Sequence, residues 1–330
     1  MYATGNKKML NMLILDILKE YSDEEHRLTQ QEIIRILKSN YDMDCDRRSV
    51  KNNVLYLKEL GYEISMEDGY YLISRKFEDA ELRMLIDSVL FSKSMTHKQA
   101  RVLIDKLRSM GNRYFSAKVS HVYNLPELHH SENKQLLYVL DAINDAITEK
   151  KKISFVYNEY GKDFKLHPKR DAKYIVNPYQ IVANNGFYYL VGNYDKYDNV
   201  SHYRLDRMTE VVILDEKVKP KENVIDFANG YNLPKHMAEH IYMFGGPSIR
   251  VKLLVPESMM NEMVDWFGKD FRVSKSKTEG MMEIVVSCNE SAMFFWALQY
   301  GVYVEVVEPV ALREKLKEAV DGMSRKYSHN

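Results

Sequence analysis

The stretch that decides the fold reads Asp46-Arg47-Arg48-Ser49-Val50-Lys51-Asn52-Asn53-Val54-Leu55-Tyr56-Leu57-Lys58-Glu59-Leu60-Gly61. Apolar residues fall at Val50, Val54, Leu57 and Leu60, the spacing of one helix face turned inward, and Gly61 stops the helix. Arg47, Arg48, Lys51 and Lys58 oppose the single acid Asp46, so the outward face is basic. Upstream, Thr29 followed three residues later by Glu32 is a capping box for a second helix, with Ile33, Ile36 and Leu37 inward. Further upstream, Leu10, Leu13, Ile14, Ile17 and Leu18 define a helix over 7–21. Downstream, two short strands, Glu63–Met66 and Tyr70–Ile73, flank Asp68-Gly69, a strong hairpin signal. Three helices and a hairpin in this order predict a winged helix-turn-helix over 1–76. In that geometry the helix after the turn enters the major groove. Arg47 and Arg48 can fork onto guanine, and Asn52 and Asn53 can pair with adenine. Ser49, Lys51 and Lys58 suit phosphates, which position a protein without reading sequence. The competing reading of this helix alone is a solvated basic face; the capped helix before it and the hairpin after it argue for DNA.

The remaining chain changes rhythm twice. Residues 77–112 carry two helical patterns, the second capped by Thr96, and 116–133 reads as an irregular linker containing His121, His129 and His130. A helix follows over 132–150, which makes 77–150 a helical linker region. From 151 to 220 short strands and turns alternate, the pattern of a small β-barrel. A connector over 221–247 leads to the segment 248–330, whose order strand-helix-strand-strand-helix-strand is ferredoxin-like. Its aromatic residues Trp266, Phe267, Phe294, Phe295 and Trp296 are expected in the core. The fold class is therefore α+β and multidomain, as 330 residues also suggest.

Composition narrows the function. Lys and Arg number 47, Asp and Glu 47, so any nucleic-acid contact must come from a local patch. No apolar run reaches membrane-span length and the N-terminus does not read as a signal peptide, so no membrane partner is expected. Two distant cysteines, Cys45 and Cys288, allow neither a disulfide framework nor a zinc knuckle, which points to a reducing, cytoplasmic compartment. No phosphate-binding loop and no G-x-S-x-G elbow occurs, no cofactor is implied, and no catalytic residue is assigned. His236-Met237-Ala238-Glu239-His240 fits the H-x-x-E-H zinc pattern, the basis of an enzyme alternative. It lies in a connector with no third ligand evident, so no metal is expected.

Several blocks carry a family resemblance. Cys45 to Val50 together with Leu57 to Ile64 resembles the DeoR-like winged helix at the front of bacterial WYL-domain regulators. Ser49 stands where Thr is usual, and Asn52-Asn53 stand where an Arg-Asp pair is frequent. Asn185-Gly186-Phe187-Tyr188-Tyr189-Leu190-Val191-Gly192 resembles the signature that names the WYL domain, with Tyr188 in place of Trp. Tyr203-Arg204-Leu205-Asp206-Arg207-Met208 is similar to the family's F-R-L-D-R-I block, and His167-Pro168 and Asn177-Pro178-Tyr179 match its proline-containing segments. The C-terminal segment resembles the WCX extension. The resemblance implies an Sm-like barrel over 151–220 that senses an anionic nucleotide or oligonucleotide.

The residues point the same way. The barrel segment has a mild cationic surplus, and arginines beside tyrosines suit a phosphate or a stacked base. Ser154, Tyr157, His167, Tyr189, Arg204 and Arg207 are expected around the pocket. Against this, Tyr188 and Tyr189 alternate along a strand, so one of them packs the core, and Arg207 has Asp206 or Glu210 as a possible internal partner. The function expected is a homodimeric transcription regulator on a two-fold operator. The alternatives are an RNA- or single-strand-binding accessory protein, for example of a defence system, and a zinc hydrolase through His236, Glu239 and His240.

Overall fold

The computed structural model describes residues 9–119, 133–227 and 232–328. The linker histidines His121, His129 and His130 lie outside them. The chain divides into two compact units, 1–134 and 135–330.

The first unit opens with α1 (Leu10–Tyr21), α2 (Gln30–Tyr41) and α3 (Arg47–Glu59), followed by β1 (Ile64–Ser65) and β2 (Tyr71–Leu72). One core joins Ile14, Ile17 and Leu18 of α1, Ile33 and Leu37 of α2, Val50, Val54 and Leu57 of α3, and Ile64 and Leu72 of the hairpin. Ile36 is only partly buried, and Leu60, expected inward, is 69% exposed. Leu60 falls one residue past the last helical turn, where its backbone no longer follows the α3 face.

The local chemistry explains each element. The Thr29 side chain accepts from the Glu32 amide while the Glu32 carboxylate accepts from the Thr29 amide, so two orphan donors are satisfied reciprocally. Asp46 Oδ1 accepts from the Ser49 amide at 2.6 Å and starts α3. At the hairpin tip Asp68 and Gly69 both take positive φ. A Cβ on Gly69 would stand 2.8 Å from Arg27 Cβ, so glycine is required there. Leu28 adds a bridge to Tyr70, extending the hairpin to a third strand segment. Ser22, fully buried, ties these parts together: its hydroxyl donates to the Leu18 carbonyl and accepts from the Leu72 amide.

Then come α4 (Asp79–Leu90), α5 (His97–Arg108) and α6 (Arg113–Lys118). Thr96 caps α5 in a capping box with Gln99. Leu82, Ile86 and Ile104 pack with Phe115 and Val119. Residues 113–118 are helical, so the irregular stretch expected from 116 does not begin there; Asn112 caps α6 by accepting from the Phe115 amide, and Phe115 anchors it.

The second unit begins with α7 (Leu136–Glu149), which buries Leu136, Val139, Ile143 and Ala146. It packs on the following sheet and belongs with it, unlike the preceding helices. The sheet comprises β3 (Lys151–Tyr160), β4 (Leu166–Pro168), β5 (Tyr174–Asn184), β6 (Phe187–Tyr194), β7 (Val200–Arg204) and β8 (Met208–Lys217). Its order is β4-β3-β5-β6-β7, all antiparallel, with β8 also paired to β3. β8 returns to β3, so the sheet curls. Among the described residues β7 and β8 are joined by the single 3₁₀ turn Leu205–Arg207 and not by a ladder, which leaves a curled half-barrel where a small barrel is expected. The bulge at Pro178/Gln180 lets β5 tolerate its proline. Gly192 lets two strands approach: a Cβ there would meet Val176 Cγ1 at 2.7 Å and the Asn177 carbonyl at 2.9 Å. Asn177, fully buried, donates to Asp195 Oδ1 at 2.6 Å and accepts from the Lys219 amide at 2.8 Å.

After α8 (Leu233–Glu239), the C-terminal part has β9 (Ser248–Pro256), α9 (Met260–Phe267), β10 (Arg272–Lys275), β11 (Met281–Asn289), α10 (Glu290–Gln299), β12 (Glu305–Glu308) and α11 (Val310–Tyr327). The antiparallel sheet order is β10-β11-β9-β12. Alternate residues Val251, Leu253 and Val255 face Ile284 and Val286 in one core with Met263, Phe267, Trp296 and Leu312. Of the aromatic residues expected inside, Phe267 and Trp296 are buried, while Trp266 and Phe294 are half-buried against the core. Phe295 is 53% exposed, because it follows Phe294 on α10 and points about 100° away from it.

Candidate nucleic-acid interface and effector site

On α3, burial of Val50, Val54 and Leu57 turns the other faces outward. Arg47, Arg48, Lys51, Asn52 and Lys58 are exposed; Ser49 and Asn53 are partly buried. Helical spacing places Arg47, Lys51 and Lys58 along one strip, and Arg48 and Asn52 along the next. The Asn53 amide donates one proton to the Ser49 carbonyl at 2.8 Å, which leaves its second N–H and its Oδ1 for other partners. The Ser49 amide is the donor that Asp46 caps. Sequence reasoning passed over Leu55 and Tyr56, which are 40% and 55% exposed on the strip that continues Arg48 and Asn52. The signal was present: both lie off the Val50-Val54-Leu57 register.

The WYL-like residues separate onto the two faces of the sheet. Phe155, Tyr157, Tyr174 and Tyr203 form one aromatic cluster, ring centroids 5.4–6.3 Å apart. The guanidinium of Arg170 sits 3.5 Å above the Tyr174 ring. Tyr189 pairs across strands with Arg204 on the other face. The two faces meet at the end of β7, where Tyr157 Oη accepts from the Arg204 amide at 3.2 Å.

Arg204 is internally satisfied. Its Nε and Nη2 fork onto Asp206 Oδ1 and Oδ2 at 3.0 and 2.8 Å, and its guanidinium lies 3.4 Å from the Phe187 ring centre. The Asp206 side chain is 2% exposed. Burial works against the Arg204 charge, but the fork with Asp206 outweighs it and holds the guanidinium above its ordinary value. Arg207 differs: its Nε is buried and has no hydrogen-bond partner, and Glu210 is engaged instead by Lys173 at 2.7 Å. Burial pushes the Tyr157 and Tyr189 phenols up, and both feel the charges of Arg204 and Arg207. Tyr189 and the Arg204–Asp206 pair thus lie on one face, Tyr157 reaches the Arg204 amide from the other, and both phenols are within electrostatic range of Arg207.

Two expected members stand apart. Ser154 faces the opposite side of the sheet from Tyr157 and pairs with Ile175 of β5 and Val212 of β8, away from β7. His167, exposed on β4, is held by Asp163 at 2.9 Å.

The zinc-pattern residues occupy the end of α8. His236 and His240 are 7% and 2% exposed. Glu239 reaches Lys235 at 3.9 Å. The sequence showed no third ligand, yet the fold brings His202 of β7 to the pair, with Nε2 of His202 and His236 2.8 Å apart. Burial pushes His202 down to about 3 and His236 down to about 4, and the neighbouring imidazoles add to both shifts. With the rings so placed, no three His, Cys, Asp or Glu side chains among the described residues have their donor atoms in metal-binding positions.

Residues 138–213 match the WYL domain family and residues 247–324 the WCX domain family. The chain is 22% identical over 201 residues to an uncharacterized HTH-type transcriptional regulator, YobV, of Bacillus subtilis (strain 168). That match covers 60% of this chain and 58% of the relative. Proteasome accessory factor B/C (PafBC) of Arthrobacter aurescens aligns over 98% of this chain and 49% of its own, with 14% identity and a TM-score of 0.31. A CRISPR Cas-related protein aligns over 99% of this chain and 88% of its own, with 14% identity and a TM-score of 0.39. The chain thus spans little more than half the length of the curated relative. No helix among the described residues is long and apolar enough to cross a membrane. Tyr189-Leu190, Gly192 and the Arg204-Asp206 fork accordingly lie in a WYL domain, and the sheet of β9 to β12 in the WCX domain that follows it.

Proposed function

We propose that the protein is a DNA-binding transcription regulator and not an enzyme. Residues 1–76 form a winged helix-turn-helix, 77–134 a helical linker, 135–220 an Sm-like sensor that includes α7, 221–247 a connector and 248–330 a ferredoxin-like domain. The observation that carries this reading is α3: its apolar face is buried while Arg47, Arg48, Lys51, Asn52 and Lys58 are exposed beside a hairpin. Arg47, Arg48 and Asn52 read base edges; Lys51, Lys58 and Ser49 contact phosphate; Asn53 braces the helix. Two copies bind a two-fold operator. An anionic nucleotide or single-stranded oligonucleotide binds beside Tyr189 and Arg207 at the end of β7, where Tyr157 braces the Arg204 backbone, and shifts operator affinity, by no more than its preference for one conformation over the other. Arg204, already neutralised by Asp206, shapes this site without supplying net charge.

Operator affinity of the full chain, measured by fluorescence anisotropy on the duplex recovered from cells, tests the reading. Arg48→Ala should cost about 1–3 kcal/mol and relax preference at one base, whereas Lys58→Ala should weaken all sequences alike. Arg207→Ala should remove the oligonucleotide response and leave basal operator binding intact. Unchanged affinity in the Arg47→Ala/Arg48→Ala double variant rejects the DNA assignment.

A further inference from the structure

Three histidines converge where β7 meets the end of α8, and neither DNA reading nor effector sensing uses them. The ring centroids are 5.1 Å (His202–His236), 5.1 Å (His202–His240) and 4.2 Å (His236–His240) apart. His236 and His240 are one helical turn apart, and His202 arrives from the sheet, so two elements contribute.

The tautomers follow from the partners. His240 Nδ1 lies 3.0 Å from the His236 carbonyl. A carbonyl only accepts, so Nδ1 carries the proton, and Nε2 of the neutral ring presents a bare lone pair. That Nε2 is buried and has no hydrogen-bond partner. A proton on Nδ1 held by a carbonyl is also the arrangement that orients a metal-ligating imidazole. Between His202 and His236 the two Nε2 atoms face each other at 2.8 Å. One donates and the other accepts, so the second lone pair of the cluster is held in that hydrogen bond.

We propose that His202, His236 and His240 bind one borderline divalent transition-metal ion of the zinc type through their Nε2 atoms. The donor set is all imidazole, which suits zinc, cobalt or copper and not calcium or magnesium. Two nitrogens on one tetrahedral ion, each about 2.0–2.1 Å from it, stand about 3.3 Å apart. The metal-free pair at 2.8 Å is therefore contracted; it must open by about 0.5 Å, and the His236 ring, stacked on His240 at an interplanar 22°, must turn so that both in-plane lone pairs reach the same ion. The proton between His202 and His236 moves to the other nitrogen of the same ring, so the charge of the imidazoles is unchanged. The ion gives the orphaned His240 nitrogen a partner and pins α8 to β7. This inference does not depend on DNA binding.

The full chain, stripped with a chelator, is titrated with Zn²⁺ against a chromophoric competitor. The expected result is one ion per chain, bound at least tenfold more weakly by His202→Ala and by His240→Gln, and with wild-type affinity by His167→Ala and by the triple variant His121→Ala/His129→Ala/His130→Ala. Binding lost in that triple variant and kept in His202→Ala overturns the proposal. Should the cluster variants not fold, X-ray absorption on the zinc-loaded wild type decides. Three imidazole nitrogens at about 2.0–2.1 Å support the site; an oxygen-dominated shell, or no bound zinc at all, sinks it.

Discussion

Replacing Asp206 with Asn removes the negative member of the Arg204–Asp206 pair with almost no change in volume. Asp206 is 2% exposed and Arg204 19%, so the lost partner leaves a largely buried guanidinium behind. Breaking a buried pair from one side costs about 3–5 kcal/mol. Two contacts reduce that figure: the Phe187 ring remains 3.4 Å from the guanidinium, and the carbonyl of the introduced carboxamide can still accept one of the two bonds. The expected loss is about 2–4 kcal/mol. For a unit of this size it lowers the melting temperature by about 2–4 °C per kcal/mol. Urea unfolding followed by circular dichroism gives the loss, and amide exchange over 187–204 locates it in β6 and β7. Adding Arg204→Met should recover part of it, because the stranded charge goes too, with a coupling of about 1–3 kcal/mol. A cost for Asp206→Asn below about 1 kcal/mol, or strict additivity in the double variant, would show that Asp206 is not what neutralises Arg204. Arg204 would then join Arg207 as a candidate anion ligand.

Three further outcomes follow from particular atoms. Asp46→Ala removes the acceptor for the Ser49 amide and should cost about 1 kcal/mol of stability in the first unit, read by urea unfolding, with a loss of operator affinity that Asp46→Ser restores. Gly192→Ala forces a Cβ to within 3.0 Å of Val176 Cγ1 and the Asn177 carbonyl, so it should destabilise the second unit by about 1–3 kcal/mol; a melting temperature equal to wild type would contradict that contact. Burial raises the Asp23 carboxyl, but hydrogen bonds to His26 and Asn112 outweigh it and hold it below its ordinary value of 3.8. The folded first unit therefore binds fewer protons than the unfolded chain near and below about pH 4. The stabilisation is present above that value and is lost as pH falls through the folded value, and Asp23→Asn should flatten this part of the stability–pH curve.

Local chemistry made much of the first unit legible from sequence. Thr29 with Glu32, Thr96 with Gln99, Asp68-Gly69 and the Val50-Val54-Leu57 register are each set by neighbours within a few residues. The exposed positions Arg47, Arg48, Lys51 and Asn52 follow from that register, because a helix that buries one face must present the other. The alternating strands of the second unit, and the glycine in its central motif, were equally readable. What sequence alone could not decide lies at longer range. Leu60 reads as inward until the helix ends before it, and Phe295 reads as core until α10 rotates it away from Phe294. Ser154 and Tyr157 are neighbours in the chain, yet the pleat assigns them to opposite faces. Arg204 and Arg207 look alike in sequence. Only the turn at Leu205–Arg207 aims one at Asp206 and leaves the other with a buried, unpartnered nitrogen. His202 stands 34 residues from His236, and no spacing rule joins them; packing α8 against β7 does. Capping, periodicity and turn chemistry are short-range interactions that a sequence displays directly. Which side chain a charged or lone-pair group finally faces depends on strand register and the curl of a sheet, and those are properties of the folded chain.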